Sequence, residues 1–143
     1  AGGGKVSRPF VIVESATRLY ALDQAMVREI VPARHITRLP GAPPAVRGIL
    51  NVRGTLITVV DLAARFGRGR AEADERSVVI AVTESRTLGL LVDDVVDVQA
   101  YSADDLVPVT GEVTERALMG MGHFGDRVVL AVDLQELAKQ TLA

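Results

Sequence analysis

Cysteine and tryptophan are both absent from the 143 residues, and only five aromatic side chains occur: Phe10, Tyr20, Phe66, Tyr101 and Phe124. Without thiols there is no disulfide framework, no thiolate zinc site and no cysteine nucleophile, a usage that fits a reducing compartment. Scarce aromatics count against single-strand nucleic-acid binding, which stacks bases on exposed rings, and Phe10 and Tyr20 fall inside predicted strands. Long hydrophobic runs are absent as well. Leu56 to Val60 and Leu88 to Val92 fall far below the ~20 residues of a membrane-spanning helix. The opening residues lack the charged-then-apolar layout of a signal peptide, and residues 1–7 are read as a flexible lead. Net charge is −2 and mean hydropathy +0.26, unlike the low hydropathy and high charge of disordered chains. A chain of this length buries roughly 70% of its unfolded surface, so a core is available without disulfide or metal.

The small net charge hides a strong asymmetry. Up to Ala71 there are 11 basic and 4 acidic residues, and beyond it 5 and 14, giving +7 and −9. Such a division suits a basic half that meets a polyanion, or two faces that meet partners of opposite sign.

Valine, with 22 residues, dominates short β-branched runs punctuated by Gly, Pro, Asp and Ser-Arg. This is the pattern of many short strands. Phe10 to Val13 and Leu19 to Leu22 form a predicted hairpin across Glu14 to Thr17. In Val27 to Val31, Val27, Glu29 and Val31 alternate with Arg28 and Ile30, as in a strand with one partly exposed face. Gly48 to Val52 and Thr55 to Val60 are joined by Arg53-Gly54, where Gly54 can take the positive φ of a tight turn. Asp61 is placed to cap a short helix over Leu62 to Phe66. Val78 to Val82 with Leu88 to Val92, and Met119 to Phe124 with Val128 to Val132, are further hairpins; Val95, Val96 and Val98 continue the strand pattern. Asp133 caps a predicted closing helix from Leu134 to about Leu142, with Leu134, Leu137 and Ala138 on one face.

These elements occur twice. Leu22-Asp23 matches Val92-Asp93 at an offset of 70, Gly54 matches Gly125 at 71, and Val60-Asp61-Leu62 matches Val132-Asp133-Leu134 at 72. A repeat near 70 residues suits two small barrel-like modules, each ending in a capped helix. The modules are expected over about 8–70 and 76–143, an arrangement that allows strands to be exchanged between them.

Catalytic constellations do not emerge. His35 and His123 lack the spacing that puts two metal ligands on one helical face, and none of the five serines sits in a nucleophile motif. Gly67-Arg68-Gly69 lacks the Gly-Lys-Ser/Thr ending of a phosphate loop, and Asp93, Asp94 and Asp97 lack the ligand spacing of an EF-hand and read as a solvated acidic turn. Arg65 to Arg70 on a basic half favours a nucleic-acid reading, which would carry a steep salt dependence. The few aromatics favour protein interaction instead. Arg53 at a turn between apolar strands is either a presented contact or a paired charge, because burying a lone guanidinium is costly. Glu29, in an otherwise apolar strand, is its expected partner.

Val27-Arg28-Glu29-Ile30-Val31, Ile36 to Pro40, the run from Gly48 to Leu62 with its Asn-x-Arg-Gly hairpin and Val-Asp-Leu exit, and Gly89 to Val95 together resemble the CheW-like domain of bacterial chemotaxis. The resemblance extends from about Phe10 to Leu137, with Val52 where the family usually has leucine. It implies an all-β fold with short helices: two pseudo-repeated five-stranded SH3-like β barrels packed around a shared hydrophobic core, with 8–143 as a single domain. It further implies a non-catalytic scaffold without cofactor or metal that couples chemoreceptors to the histidine kinase CheA. Such a scaffold binds the receptor's cytoplasmic hairpin tip and the kinase's homologous regulatory domain. The implied contacts are Val27, Glu29, Ile30, Gly48, Arg53, Gly54, Val95 and Val98. The implied location is the cytoplasm, at membrane-associated receptor arrays, with neither membrane insertion nor nucleic acid. The same domain also occurs inside larger signalling proteins, including the kinase itself, and this stays open as an alternative.

Overall fold

The computed structural model describes residues 6–67, 69, 76–109 and 115–141. The first five residues of the lead, Arg68 and Arg70 of the Gly-Arg loop, and the end of the closing helix at Leu142 lie outside the described residues.

Among the described residues ten strands form two five-stranded sheets: β1 (Arg8–Ser15), β2 (Arg18–Asp23), β3 (Val27–Pro32), β4 (Val46–Val52), β5 (Thr55–Asp61), β6 (Ser77–Val82), β7 (Thr87–Val92), β8 (Asp94–Tyr101), β9 (Leu118–Phe124) and β10 (Arg127–Val132). One sheet has the order β8-β1-β2-β10-β9 and the other β3-β6-β7-β5-β4. All neighbours are antiparallel except β2 with β10 and β5 with β7. The first hairpin, β1-β2, therefore joins a sheet completed by β8 to β10, and β6-β7 joins the sheet of β3 to β5. The second sheet is one contiguous piece of the chain, β3 to β7, whereas the first is assembled from strands on either side of it.

The two sheets have the same order once β1, β2, β8, β9 and β10 are matched with β6, β7, β3, β4 and β5. Register makes the match residue by residue. Ile12 opposes Ala21 and Asp97, and Ile80, 68 positions later, opposes Gly89 and Glu29. In the last two strands of each repeat the offset is 72: Leu50 opposes Ile57, as Gly122 opposes Val129. Two of the sequence matches are thereby corrected. Leu22 corresponds to Leu90 rather than Val92, and Gly125 corresponds to Arg53 rather than Gly54. The connection between the third and fourth strands is four residues longer in the second repeat, so short identities aligned at 70 or 71 fall out of register. The Val-Asp-Leu match at 72 stands.

Burial explains the apolar runs. Along β1, Phe10 and Ile12 face the interior of one barrel, while Val11 and Val13 face the core shared by both sheets. In β6, Val78 and Ile80 face the other barrel's interior, and Val79 and Ala81 the shared core. With both faces covered, such strands lose the polar alternation that marks a half-exposed strand. The shared core also takes Tyr20, Leu62, Leu134, Leu137 and Ala138. Each repeat ends in the expected capped helix, α1 (Leu62–Arg65) and α2 (Leu134–Thr141). Asp61 Oδ1 accepts from the Ala64 amide at 3.2 Å, and Asp133 Oδ1 from the Glu136 amide at 3.1 Å.

Candidate partner-binding surface

Arg53 and Glu29 form the pair expected from their residue types. Arg53 Nη1 donates to Glu29 Oε1 at 3.1 Å, and Nη2 donates to Oε2, making a two-pronged fork. The hairpin tip that carries Arg53 hangs from β4, at one edge of its sheet, and Glu29 belongs to β3 at the other. The fork therefore ties the two edges, and the barrel closes. Below it, Thr37 and Ile49 exchange backbone hydrogen bonds at 2.9 and 2.7 Å. The other barrel keeps the matching bridge, Val107 with Met121, but in place of an ion pair the Tyr101 hydroxyl donates to the His123 carbonyl at 2.7 Å. Where that barrel uses a buried tyrosine, this one presents an ion pair: the Arg53 side chain is 71% exposed and that of Glu29 26%.

The turn is held before any partner arrives. Both Arg53 and Gly54 have positive φ, 49° and 87°, the geometry that matches a two-residue hairpin to the twist of its strands. The Gly54 amide donates to Asn51 Oδ1 at 2.8 Å. Sequence reasoning assigned the positive φ to Gly54 alone and gave Asn51 no separate role. The signal was present in Asn-x-Arg-Gly, since an asparagine side chain mimics a turn of backbone. The hydrogen bond from Arg53 is the main cause that holds the Glu29 carboxyl below the ordinary carboxylate range, against a smaller opposing effect of desolvation. Reciprocally, Glu29 raises the affinity of Arg53 for its proton.

The apolar site residues divide into two kinds. Arg28 and Val96 are the extra residues of matching β-bulges in β3 and β8. Val27 and Val95, on one side of each bulge, are partly buried and pack against the shared core. Ile30 and Val98, on the other side, are 44% and 51% exposed. At the 68-residue offset Val27 corresponds to Val95 and Ile30 to Val98, so the two pairs are one feature presented twice. A cleft of about 570 Å³ is lined by Ile30 and Val31 of β3 and by Asp94 at the start of β8. Val98 does not line it. Gly48 is buried: a Cβ there would lie 2.0 Å from the Thr37 carbonyl oxygen, so its influence runs through the Thr37–Ile49 bridge.

Two arginine contacts were not legible in the sequence. Arg47, the bulge residue of β4, donates from Nη1 to the fully buried Asp61 at 2.8 Å. Arg65, beside α2, donates to both oxygens of Glu115 at 3.0 and 3.2 Å and also bonds Gln140, with its guanidinium 5.1 Å from the Phe66 ring centre. The acidic turn has work within the fold: Asp93 Oδ2 accepts from the Ala16 amide at 2.8 Å. Among the described residues no group of three His, Cys, Asp or Glu side chains converges as metal ligands, and no helix is long and apolar enough to cross a membrane. All five aromatics are buried or packed against a core cluster, which leaves no ring platform for bases. A fixed exposed ion pair with apolar neighbours can recognise a protein surface.

Residues 9–141 match the sequence profile of the CheW-like domain. The chain is similar to chemotaxis protein CheW of Klebsiella aerogenes, 30% identical over 139 residues that cover 94% of this chain and 84% of that protein. Its similarity to chemotaxis protein CheW of Rhizobium meliloti is 43% identity over 122 residues, 82% of this chain and 79% of that one. The crystal structure of the scaffolding protein TtCheW from Thermoanaerobacter tengcongensis superposes with a TM-score of 0.82 at 28% identity, covering 96% of this chain and 91% of that chain. With the two five-stranded sheets in place, these likenesses show that the chain belongs to the CheW-like family of non-catalytic adaptors.

Proposed function

We propose that the protein couples chemoreceptors to a CheA-type histidine kinase, in the cytoplasm and at membrane-associated arrays, by binding the kinase's regulatory domain and the receptor's cytoplasmic tip. The contacts fall on Glu29, Arg53, Gly54 and Ile30, with Val98 as the corresponding apolar contact of the second barrel. Val27, Val95 and Gly48 act by holding the edge strands β3, β8 and β4 in shape. The observation that carries this reading is the Glu29–Arg53 fork: a pinned, exposed ion pair at a barrel's closing seam. Association gains when the groups that meet a partner are already ordered, because less side-chain freedom is lost.

The test is calorimetric titration of this protein with the isolated regulatory domain of a CheA kinase from the same source, alongside Arg53→Glu. The parent protein binds saturably at 1:1. In the variant two carboxylates face each other at the seam and binding is lost, with the fold checked by circular dichroism. A folded parent that does not bind overturns the reading. Affinity also falls from low to high salt, because Arg34, Arg38, Arg47 and Arg53 belong to one barrel while Asp94, Asp97, Asp104 and Asp105 belong to the other, a polarity that steers encounter. Salt-independent affinity removes the steering part.

A further inference from the structure

The barrel that contains β8 keeps the acidic half of the Glu29–Arg53 fork and lacks the basic half. Glu29 follows the bulge residue Arg28 and opposes Ile80; Asp97, 68 positions later, follows the bulge residue Val96 and opposes Ile12. Two arginines favour the charged form of Glu29, Arg53 and, more weakly, Arg28. Gly125 and Val96 stand at the corresponding positions, so the carboxylate is repeated and both of its cations are not. Among the described residues Asp97 has no cationic partner.

The β9-β10 turn supplies none. Gly125 has no side chain, Asp126 carries the same sign as Asp97, and Arg127 is engaged by Glu14 and the Thr17 carbonyl. The turn is nevertheless close: the Gln99 amide nitrogen lies 3.5 Å from the His123 carbonyl oxygen, two residues from Asp97 on one strand and two from Gly125 on the other. Asp97 Oδ1 accepts from the Val98 amide at 2.7 Å, which fixes the exposed carboxylate in one orientation. Beside it Val96 is 40% exposed.

We propose that this edge receives an arginine carried on an extended segment of a partner protein, its guanidinium meeting Asp97 as that of Arg53 meets Glu29. The inference rests on the proposed function, in which Val98 is already a contact, and names the group that the second barrel takes there. Arginine suits the place better than lysine because two N–H groups can meet the two carboxylate oxygens. Its methylenes can lie along the exposed Val96. One exposed carboxylate is too little to hold a free cation, whereas β8 is an edge strand whose open side offers backbone groups to a strand laid against it.

The test is titration of the ¹⁵N-labelled full chain with a capped Thr-Val-Arg-Val-Thr peptide, compared with the same peptide carrying citrulline, the uncharged isostere, in place of arginine. The arginine peptide produces saturable shifts at residues 96–98 and 123–126, and the citrulline peptide binds about three- to tenfold more weakly, the span for an exposed two-pronged ion pair. Asp97→Asn weakens the arginine peptide by the same factor. So does Gly125→Arg, which supplies the guanidinium within the chain at a φ of 62°, near the 49° of Arg53. Circular dichroism checks that both variants are folded. Absent or scattered shifts, equal binding of the citrulline peptide, or undiminished binding to either folded variant overturns the proposal. The kinase titration turns on Arg53 in the other barrel, so either result can fail without the other.

Discussion

A Cβ on Gly48 would sit 2.0 Å from the Thr37 carbonyl oxygen and 2.7 Å from its carbon, on a backbone with φ +145°. Gly48→Ala must therefore push β4 from the bridge that closes the barrel. It is expected to cost about 2–3 kcal/mol in urea denaturation, within the range of overpacked sites. Gly41→Ala, at φ +77° with nothing within 4 Å, costs about 1 kcal/mol from backbone conformation alone. The resemblance marked Gly48 as a contact; only the path of the β3–β4 connection shows it buried. Glu29 and Arg53 were legible because charges among strand residues require an explanation. Arg65 with Glu115 was not, since their meeting depends on how α1 packs beside the second repeat. Both Glu29 and Glu115 are held below the ordinary carboxylate range, chiefly by hydrogen bonds from Arg53 and Arg65. Groups whose pKa is depressed on folding add stability above their unfolded pKa and lose it as pH falls through the folded value. Denaturation midpoints taken from neutral pH to about pH 3 should fall, and Glu115→Gln should flatten that slope; an unchanged slope in the variant contradicts the assignment.

Elements were easiest to read where turn chemistry is local. The β4-β5 hairpin announced itself through Asn51, Arg53 and Gly54. The β1-β2 hairpin turns on Ala16 and Thr17, both with positive φ, 47° and 67°, without the glycine or asparagine such a turn favours. Two contacts from elsewhere in the fold hold it: the Ala16 amide donates to Asp93, between β7 and β8, and Arg127 Nη2 donates to the Thr17 carbonyl at 2.8 Å. A β-branched residue in this region is strained. Thr17→Gly is therefore expected to raise stability by about 1 kcal/mol, because the backbone contacts remain while the strain goes; a lower melting temperature would show that the Thr17 side chain stabilises the turn. Repeat register was less legible, because the two repeats diverge by four residues in one connection and the internal identities are at most three residues long.

For the molecule as a whole, stability depends on which strands are brought together. The composition and the repeat pointed to two barrels, but pairing between distant segments leaves no mark in either segment's pattern. Each barrel borrows a hairpin from the other repeat, and residues from both sheets meet in one core. Fragments 1–75 and 76–143 produced separately are therefore expected to be unfolded alone and to give native circular dichroism when mixed. A fragment that folds by itself contradicts the interlacing. The interlaced architecture also explains how a small chain can present two corresponding edge strands, β3 and β8, each with a bulge and an exposed apolar residue, on a rigid frame.

Whether this frame presents the Glu29–Arg53 seam to the kinase is decided by chemical-shift mapping of the ¹⁵N-labelled protein with the unlabelled CheA regulatory domain. Perturbations are expected to concentrate on β3 and the Arg53-Gly54 turn, and to be lost in Arg53→Glu. Perturbations confined to other strands, or none at saturating kinase domain, would contradict it.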